Sequence, residues 1–263
     1  MQRKLFRYYG AKTDLIDDIF KVVSPLYISK KITAFVDVFG GSGLVLLNIP
    51  LEWKINKVYN DIDDTINTLL YDLIDDQKRK KLFDKLFWIL SSRKLFNEFK
   101  TKNDNDSFEF LYRIFNSFNG DIDSYSTPIS TIRNVQKSQF ERLKNNWQYI
   151  KEWRIECLDF QRLIKNYDSK TTFFYLDPPY LKGGKKYKYS FGIEDFYNLK
   201  NSLNDIQGYW LMNESERDFS EIESIFGKPN FTLKYKNNLN KSRKQIQNIN
   251  RNSHRLEGYW YNF

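Results

Sequence analysis

The sequence predicts an α/β fold, a Rossmann-like sheet carrying a mainly helical insert. Three observations predict it. Ile32 to Val38 reads as a strand and runs into Phe39-Gly40-Gly41-Ser42-Gly43, after which Leu44 to Ile49 is apolar again. Strand, glycine turn and helix is the arrangement that lets a backbone approach a nucleotide closely. Lys57-Val58-Tyr59 is a second short strand, and it ends at Asn60-Asp61. An acid there, roughly 20 residues past the glycines, is placed to accept a hydrogen bond from a ribose hydroxyl. Finally, the apolar run Phe173-Phe174-Tyr175-Leu176 stops at Asp177-Pro178-Pro179-Tyr180. Two prolines remove two ladder donors and end sheet pairing. They hold Asp177 at the strand's carboxyl end, where open α/β sheets bind ligands.

The remaining elements follow in chain order. Tyr8-Tyr9-Gly10-Ala11-Lys12 precedes a helical face made by Leu15, Ile16, Ile19, Phe20 and Val23, which Pro25 bounds. After Asp61, Asp63 and Asp64 suit the first turn of a helix through Ile66, Leu69, Leu70 and Leu73, where carboxylates complement the dipole. From Gln77 to about Lys151 the character changes. Lys78 to Leu90 is basic and amphipathic, with Leu82, Phe83, Leu86, Phe87 and Leu90 predicted on one face. Phe108 to Phe118 is apolar and aromatic, the turn signal Asn119-Gly120-Asp121 follows, and Ser124 to Asn134 is polar. Ser, Thr, Asn and Arg around a turn can reach base edges and phosphates. Gln139 to Ile150 returns to helical spacing.

Arg154 to Leu158 predicts a third strand, with Cys157 a buried thiol within it. Beyond Tyr180, the glycine-rich loop Leu181 to Tyr189 carries Lys185, Lys186 and Lys188 among aromatics, suited to closing over a base and its phosphates. Helix Ile193 to Leu203 and strand Tyr209 to Asn213 make another αβ step, and a strand from Thr232 and a last strand Leu256 to Phe263 end the chain. Between Lys234 and Arg255 there is no acid, while Arg243 and Lys244 stand among five cations, which reads as a phosphate-binding loop.

The 263 residues, 41% hydrophobic, suffice for one enlarged domain or a core plus an insert. The net charge of +9 leans towards nucleic acid, although a lysine-rich composition alone also produces it. Cys157 and His254 are the only residues of their kinds, so an intrachain disulfide is impossible. A Cys/His zinc site and a Ser-His-Asp triad are nearly excluded for the same reason. No run is long and apolar enough for a membrane helix, and no signal-peptide core follows Met1-Gln2-Arg3-Lys4. The expectation is a cytoplasmic protein, or one of the host cytoplasm.

Asp177 to Tyr180 suits one chemistry in particular. An exocyclic amine on a nucleobase is a poor nucleophile, because its lone pair is delocalised into the ring. Acceptors aimed at both amino hydrogens favour a more pyramidal nitrogen, and the Asp177 carboxylate and Pro178 carbonyl are placed to be those acceptors. Tyr180 offers a face on which a displaced base can stack.

The ordered set Tyr8-x-Gly10-x-Lys12, Asp37-Val38-Phe39-Gly40-Gly41-Ser42-Gly43, Asn60-Asp61-Ile62, Cys157-Leu158-Asp159-Phe160 and Asp177-Pro178-Pro179-Tyr180 resembles the DNA adenine methylase (Dam) family in content and order. Arg255-Leu256-Glu257 and the terminal Tyr261-Asn262-Phe263 look similar too. The resemblance implies a seven-stranded Rossmann-like methyltransferase sheet with an antiparallel final hairpin. It implies S-adenosyl-L-methionine as donor and methylation of the N6 amine of a flipped adenine in double-stranded DNA, with no metal. By position, Tyr8, Gly10, Lys12, Asp37, Asp61 and Asp177 would line the cofactor site. The Phe39 to Gly43 turn, including Gly40, Gly41 and Ser42, would carry the methionine end, and Asp159 and Phe160 would bracket the cofactor's adenine. Asp177, Pro178 and Tyr180 would hold the target base. Residues 1–76 and 152–263 would form the catalytic domain, and 77–151 the target-recognition domain. Arg7, Asn116, Asn119, Arg133 and the basic loop residues Lys185, Lys186, Lys188, Arg243 and Lys244 would meet DNA. A cognate restriction endonuclease is the partner such enzymes have in restriction-modification.

One departure bears on specificity. Relatives that read GATC carry an Arg-Tyr-Asn…Gly-x-Phe-Asn-x-Pro-x-Gly hairpin, which Ile114 to Gly120 and Ser126-Thr127-Pro128 echo only loosely. GATC therefore does not follow as the target. Rival readings are N4-cytosine or RNA amino-methylation, a catalytically silent DNA-binding subunit of the same fold, and a NAD-dependent dehydrogenase. Aspartate rather than serine at 177 counts against cytosine. Intact Lys12, Asp61, Asp177 and Tyr180 count against the silent subunit, and the dehydrogenase leaves Asp-Pro-Pro-Tyr unexplained.

Overall fold

The computed structural model describes residues 2–8, 10, 12–102, 105–117, 120–126, 132–182, 189–236 and 254–263. Its strands are β1 (Ala34–Asp37), β2 (Asn56–Asn60), β3 (Trp153–Glu156), β4 (Thr172–Leu176), β5 (Tyr209–Ser215), β6 (Phe231–Lys236) and β7 (His254–Tyr261). They form one sheet in the order β3-β2-β1-β4-β5-β7-β6. The first five run parallel, whereas β7 pairs antiparallel with both β5 and β6. The chain moves outward from β1 through β2 and β3, then returns to lay β4 on β1's other side. That reversal opens a crevice above the carboxyl ends of β1 and β4, where this architecture takes ligands.

The α-helices among the described residues are α1 (Ile16–Ile28), α2 (Leu44–Asn48), α3 (Asp64–Ile74), α4 (Asp76–Trp88), α5 (Arg93–Thr101), α6 (Ser107–Phe115), α7 (Ile132–Asn146), α8 (Phe160–Tyr167), α9 (Ile193–Asn204) and α10 (Phe219–Phe226). Side chains alternate across the sheet. Phe35, Phe173, Tyr175 and Leu211 enter a core with α1, α2 and α3, while Val36, Phe174, Leu176 and Met212 enter a second with α8, α9 and α10. Burial on both faces explains why these parallel strands are apolar almost without interruption.

The helices α4, α6 and α7 extend the first of these cores. Leu82, Leu86, Phe110, Leu111, Ile114 and Leu143 pack with it. The N-termini of α4, α5 and α6 are capped by side chains: Asp75 accepts from Gln77 and Lys78, Ser92 from Leu95, and Asp106 from Glu109. Phe110 stands edge-on to Phe6 and Tyr8 at 6.2 and 6.3 Å, so α6 buttresses the segment that leads to Lys12. No helix among the described residues is long and apolar enough to cross a membrane.

Several sequence expectations change. Pro25 does not bound α1 but lies inside it. The carbonyl its ring leaves unbonded belongs to Lys21, which is exposed, and the buried stripe Ile16, Ile19, Phe20, Val23 and Leu26 carries the helix past it. On α4, Leu82 and Leu86 are buried, but Phe87 and Leu90 are 62% and 81% exposed. The helix ends at Trp88, so Leu90 lies beyond its last turn, and residue 87 turns away from the stripe that 82 and 86 share. Cys157 is exposed, because β3 stops at Glu156. Its Sγ donates to Asp64 Oδ1 at 3.1 Å, and partial burial with that carboxylate pushes the thiol up to about 11.

Candidate active site

The turn after β1 is shaped by what lies behind it. A Cβ on Gly40 would stand 2.3 Å from the Tyr59 ring, and one on Gly43 would stand 2.6 Å from the Trp153 ring. Gly43 also has φ +68°, a conformation that costs other residues energy. The Tyr59 and Trp153 rings stack at 5.7 Å, and Tyr59 donates its hydroxyl hydrogen to the Gly41 carbonyl at 2.7 Å. The glycines thus let the turn lie flat on an aromatic floor.

Asp61 closes the turn from the other side. Its Oδ2 accepts from Gly41 N–H at 2.8 Å and its Oδ1 from Asp63 N–H at 2.9 Å. Burial pushes its carboxyl up to about 6 against those two hydrogen bonds. Asp63 caps α3 by accepting from Thr65 N–H, the helix-start role expected of it. Asn60, part of the Asn60-Asp61-Ile62 motif but assigned no role from the sequence, ties three strand ends together. It donates to the carbonyls of Val38 and Leu158 at 2.9 and 3.0 Å and accepts from Leu158 N–H at 2.9 Å.

Above these strand ends lies a cleft of about 330 Å³. Tyr8, Gly10, Lys12, Asp37, Phe39, Gly40, Gly41, Ser42, Asp61, Asp159, Phe160 and Asp177 all line it. Gly43 stands behind it as the N-cap of α2. Asp37 is 1% exposed, and its Oδ1 has no hydrogen-bond partner among the described residues. Burial and the neighbouring Asp177 and Asp61 charges hold its carboxyl well above the ordinary range. Sequence reasoning missed Phe191, whose ring meets Phe39 at 5.4 Å and Phe160 at 5.7 Å to complete an aromatic wall. Its only signal was a lone aromatic just before α9.

Asp177 forms the edge of the cleft, and Pro178 and Tyr180 lie beyond it. Lys12 Nζ is 2.9 Å from Asp177 Oδ1 and also donates to the Tyr180 hydroxyl. Asn213, on β5, donates to Asp177 Oδ1 at 3.4 Å and accepts from the Tyr175 hydroxyl at 2.5 Å. Tyr180 in turn donates to Glu257 Oε1 at 3.2 Å. Burial raises the Asp177 carboxyl, and Lys12 opposes that rise. Burial alone would favour a neutral Lys12 amine, but Asp177, Tyr180 and Glu257 outweigh it and keep the ammonium. Lys12 is therefore a fixed cation and donor here, not a base.

The residues expected at DNA fare differently. Arg7 is exposed, and its carbonyl abuts Gly120, where a Cβ would stand 2.3 Å away. Asn116 is 1% exposed, which removes it from a DNA-facing role. Its amide donates to the Tyr112 carbonyl at 2.8 Å and accepts from Ser91 Oγ at 2.6 Å, so it ends α6 and anchors the chain after α4. Arg133 lies in α7, with its side chain outside the described part. Asn119, Lys185, Lys186, Lys188, Arg243 and Lys244 lie outside the described residues.

Five parallel strands with a final antiparallel hairpin, and a cleft at their carboxyl ends beside a glycine turn, Asp61 and the Asp-Pro-Pro-Tyr corner, make an α/β Rossmann-like methyltransferase fold. A family model described as D12 class N6 adenine-specific DNA methyltransferase matches residues 8–242, and the chain belongs to that family. It is an adenine-specific DNA methyltransferase, and family and fold imply use of S-adenosyl-L-methionine and a DNA substrate. Type II methyltransferase M.MjaIII of Methanocaldococcus jannaschii is 23% identical over 208 residues, 68% of this chain and 69% of that protein. Type II methyltransferase M.CviBI of Paramecium bursaria Chlorella virus NC1A is 22% identical over 254 residues, 92% of this chain and 94% of that protein. Among solved structures, the rRNA methyltransferase AviRa of Streptomyces viridochromogenes superposes with a TM-score of 0.45 at 12% identity, covering 97% of this chain and 86% of that one.

Proposed function

We propose that Asp177 and the Pro178 carbonyl polarise the N6 amine of an adenine flipped from duplex DNA and stacked on Tyr180. The observation that carries this is the ion pair of buried Lys12 with half-buried Asp177, which stands where the cleft meets Tyr180. Lys12 occupies one lone pair of Asp177 Oδ1 and leaves Oδ2 for an amino hydrogen. Transfer then needs positioning and charge, not a strong base, because the alkylated nitrogen becomes acidic and sheds its proton late.

The residues of the cleft fit S-adenosyl-L-methionine. Asp61 offers its remaining lone pairs to ribose hydroxyls, and Phe39, Phe160 and Phe191 make an apolar slot for a purine. The Asp37 oxygen that has no partner among the described residues, buried at the cleft wall, offers an acceptor to a donor such as an amino acid's ammonium. When bound there, that cofactor supplies an electrophilic methyl group; the chain's own residues orient the amine and exclude water.

Residues 77–151 are read as the target-recognition part. Phe87, Trp88 and Leu90 stand exposed, with exposed Lys80, Lys81, Lys85, Arg93 and Lys94 close by in the chain, which suits a polyanion with apolar base steps. The type II names of both relatives support a role beside a cognate restriction endonuclease. Expression in a methylation-free host, followed by single-molecule sequencing, tests the whole reading. Modified adenines at one short motif are expected; modified cytosines, or none, would overturn it.

A further inference from the structure

Tyr180 is held from outside its own loop. The Glu257 oxygen that accepts from Tyr180 at 3.2 Å also accepts from Tyr235 at 3.0 Å. Glu257 is on β7 and Tyr235 on β6, so both come from the last hairpin. Glu257 is 1% exposed, and its Oε2 has no partner among the described residues. A carboxylate buried with one oxygen idle costs free energy that a glutamine or an apolar residue would avoid. Such a group is retained for what its charge and geometry do to its neighbours.

A phenol has one hydrogen to donate. Lys12 has only donors, so at Tyr180 the phenol oxygen accepts from Lys12 and its hydrogen goes to Glu257. That fixes the swing of the ring as well as its position. We infer that Glu257, backed by Tyr235, is a positioning residue for methyl transfer, acting through Tyr180 and Lys12 on Asp177. The path Tyr235, Glu257, Tyr180, Lys12, Asp177 runs from the final hairpin to the carboxylate that faces the amine. Glu257 does not itself line the cleft, and its direct partner Tyr180 lies on the side of the base.

The inference rests on Tyr180 being the platform for the base, and a double-mutant cycle tests the two separately. Glu257→Gln, Tyr180→Phe and the double variant are compared on a duplex carrying the mapped site. The readouts are kcat, KM, cofactor affinity by calorimetry, and fluorescence of 2-aminopurine at the target position. Glu257→Gln is expected to lower kcat about 10-fold and change the fluorescence, with cofactor affinity within about twofold. The double variant is expected to be no worse than Glu257→Gln, because the two groups act as one unit. Tyr235→Phe is expected to lose roughly threefold and show the same fluorescence change.

Wild-type kcat and fluorescence in Glu257→Gln, or additive losses in the double variant, overturn the inference. If Glu257→Gln does not fold, Tyr235→Phe decides, and its wild-type behaviour overturns it equally. Tyr180→Ala checks the platform. Its full activity defeats the stacking reading, whereas its inactivity beside a wild-type Glu257→Gln defeats the positioning role alone.

Discussion

In the cleft, Asp61 and Lys12 are held by backbone or by other side chains; at the end of α4 in the helical insert, an apolar group reaches outward. Asp61 spends both oxygens on N–H groups of its own neighbourhood, and Lys12 is locked between Asp177 and Tyr180. Phe87, Trp88 and Leu90, by contrast, are 62%, 78% and 81% exposed, beside lysines that contact solvent. Strand ends held by hydrogen bonds pre-organise chemistry, which tolerates little misplacement. A surface proposed to meet the backbone of duplex DNA needs reach more than rigidity. Substitutions in the cleft should therefore act on kcat and cofactor affinity, and those on the insert on KM for DNA.

The largest expected effect is at Asp177. Asp177→Asn keeps the shape but weakens the acceptor and should lower kcat on the order of 10³-fold, read with labelled donor on DNA. Asp177→Ala should also cost stability, ~3 kcal/mol by urea unfolding, because it strips Lys12 of its nearest anion. A fully active Asp177→Asn would erase the distinction drawn for the cleft.

Next comes the aromatic floor. Gly43→Ala places a methyl against the Trp153 ring at a positive φ. It is expected to cost about 100-fold in kcat/KM through displacement of the turn, with a lowered melting temperature. Cofactor binding at wild-type strength in this variant would show that the turn has slack the geometry denies.

Asp61 gives a pH signature. Its carboxyl titrates in the folded protein at about 6, above its ordinary value, so the folded state holds this proton more tightly. Its contribution to stability is complete below the unfolded value and is lost as pH rises through about 6. Cofactor affinity runs the other way, since only the carboxylate accepts from both backbone and ribose. Calorimetry should find binding about 10-fold weaker at pH 5 than at pH 7, and Asp61→Asn should flatten the profile. A wild-type affinity that does not change across that range would remove Asp61 from the cofactor.

The smallest effect belongs to the insert. Trp88→Ala is expected to raise KM for DNA roughly 5-fold, ~1 kcal/mol of lost base or backbone contact, with kcat and cofactor affinity unchanged. An unchanged KM would place the DNA surface elsewhere on the chain.

Much of the cleft was legible in the chain itself. Glycines, an acid past the second strand and a doubled proline each impose local backbone behaviour, so Gly40, Gly43, Asp61 and Asp177 announce their places. Periodicity likewise marks the strands and most helical faces. What it does not report is which of several similar residues ends up buried. Asn116 and Cys157 exchanged their expected exposures, because helix and strand ends fall where packing stops, a matter of one residue. Pro25 stayed inside α1 because tertiary burial outweighed one lost hydrogen bond.

The motifs and their order along the chain alone determined the family, the glycine turn after β1 and the corner at Asp177, since each depends on what stands where in sequence. Only the tertiary structure decided how Lys12, Asp177, Asn213, Tyr180, Tyr235 and Glu257 meet in one network. These residues lie on segments from the first to the last of the chain, and no local pattern couples them. The register of β5 against β7, and of β7 against β6, brings them together. That register follows from the alternation of buried side chains summed over the whole sheet.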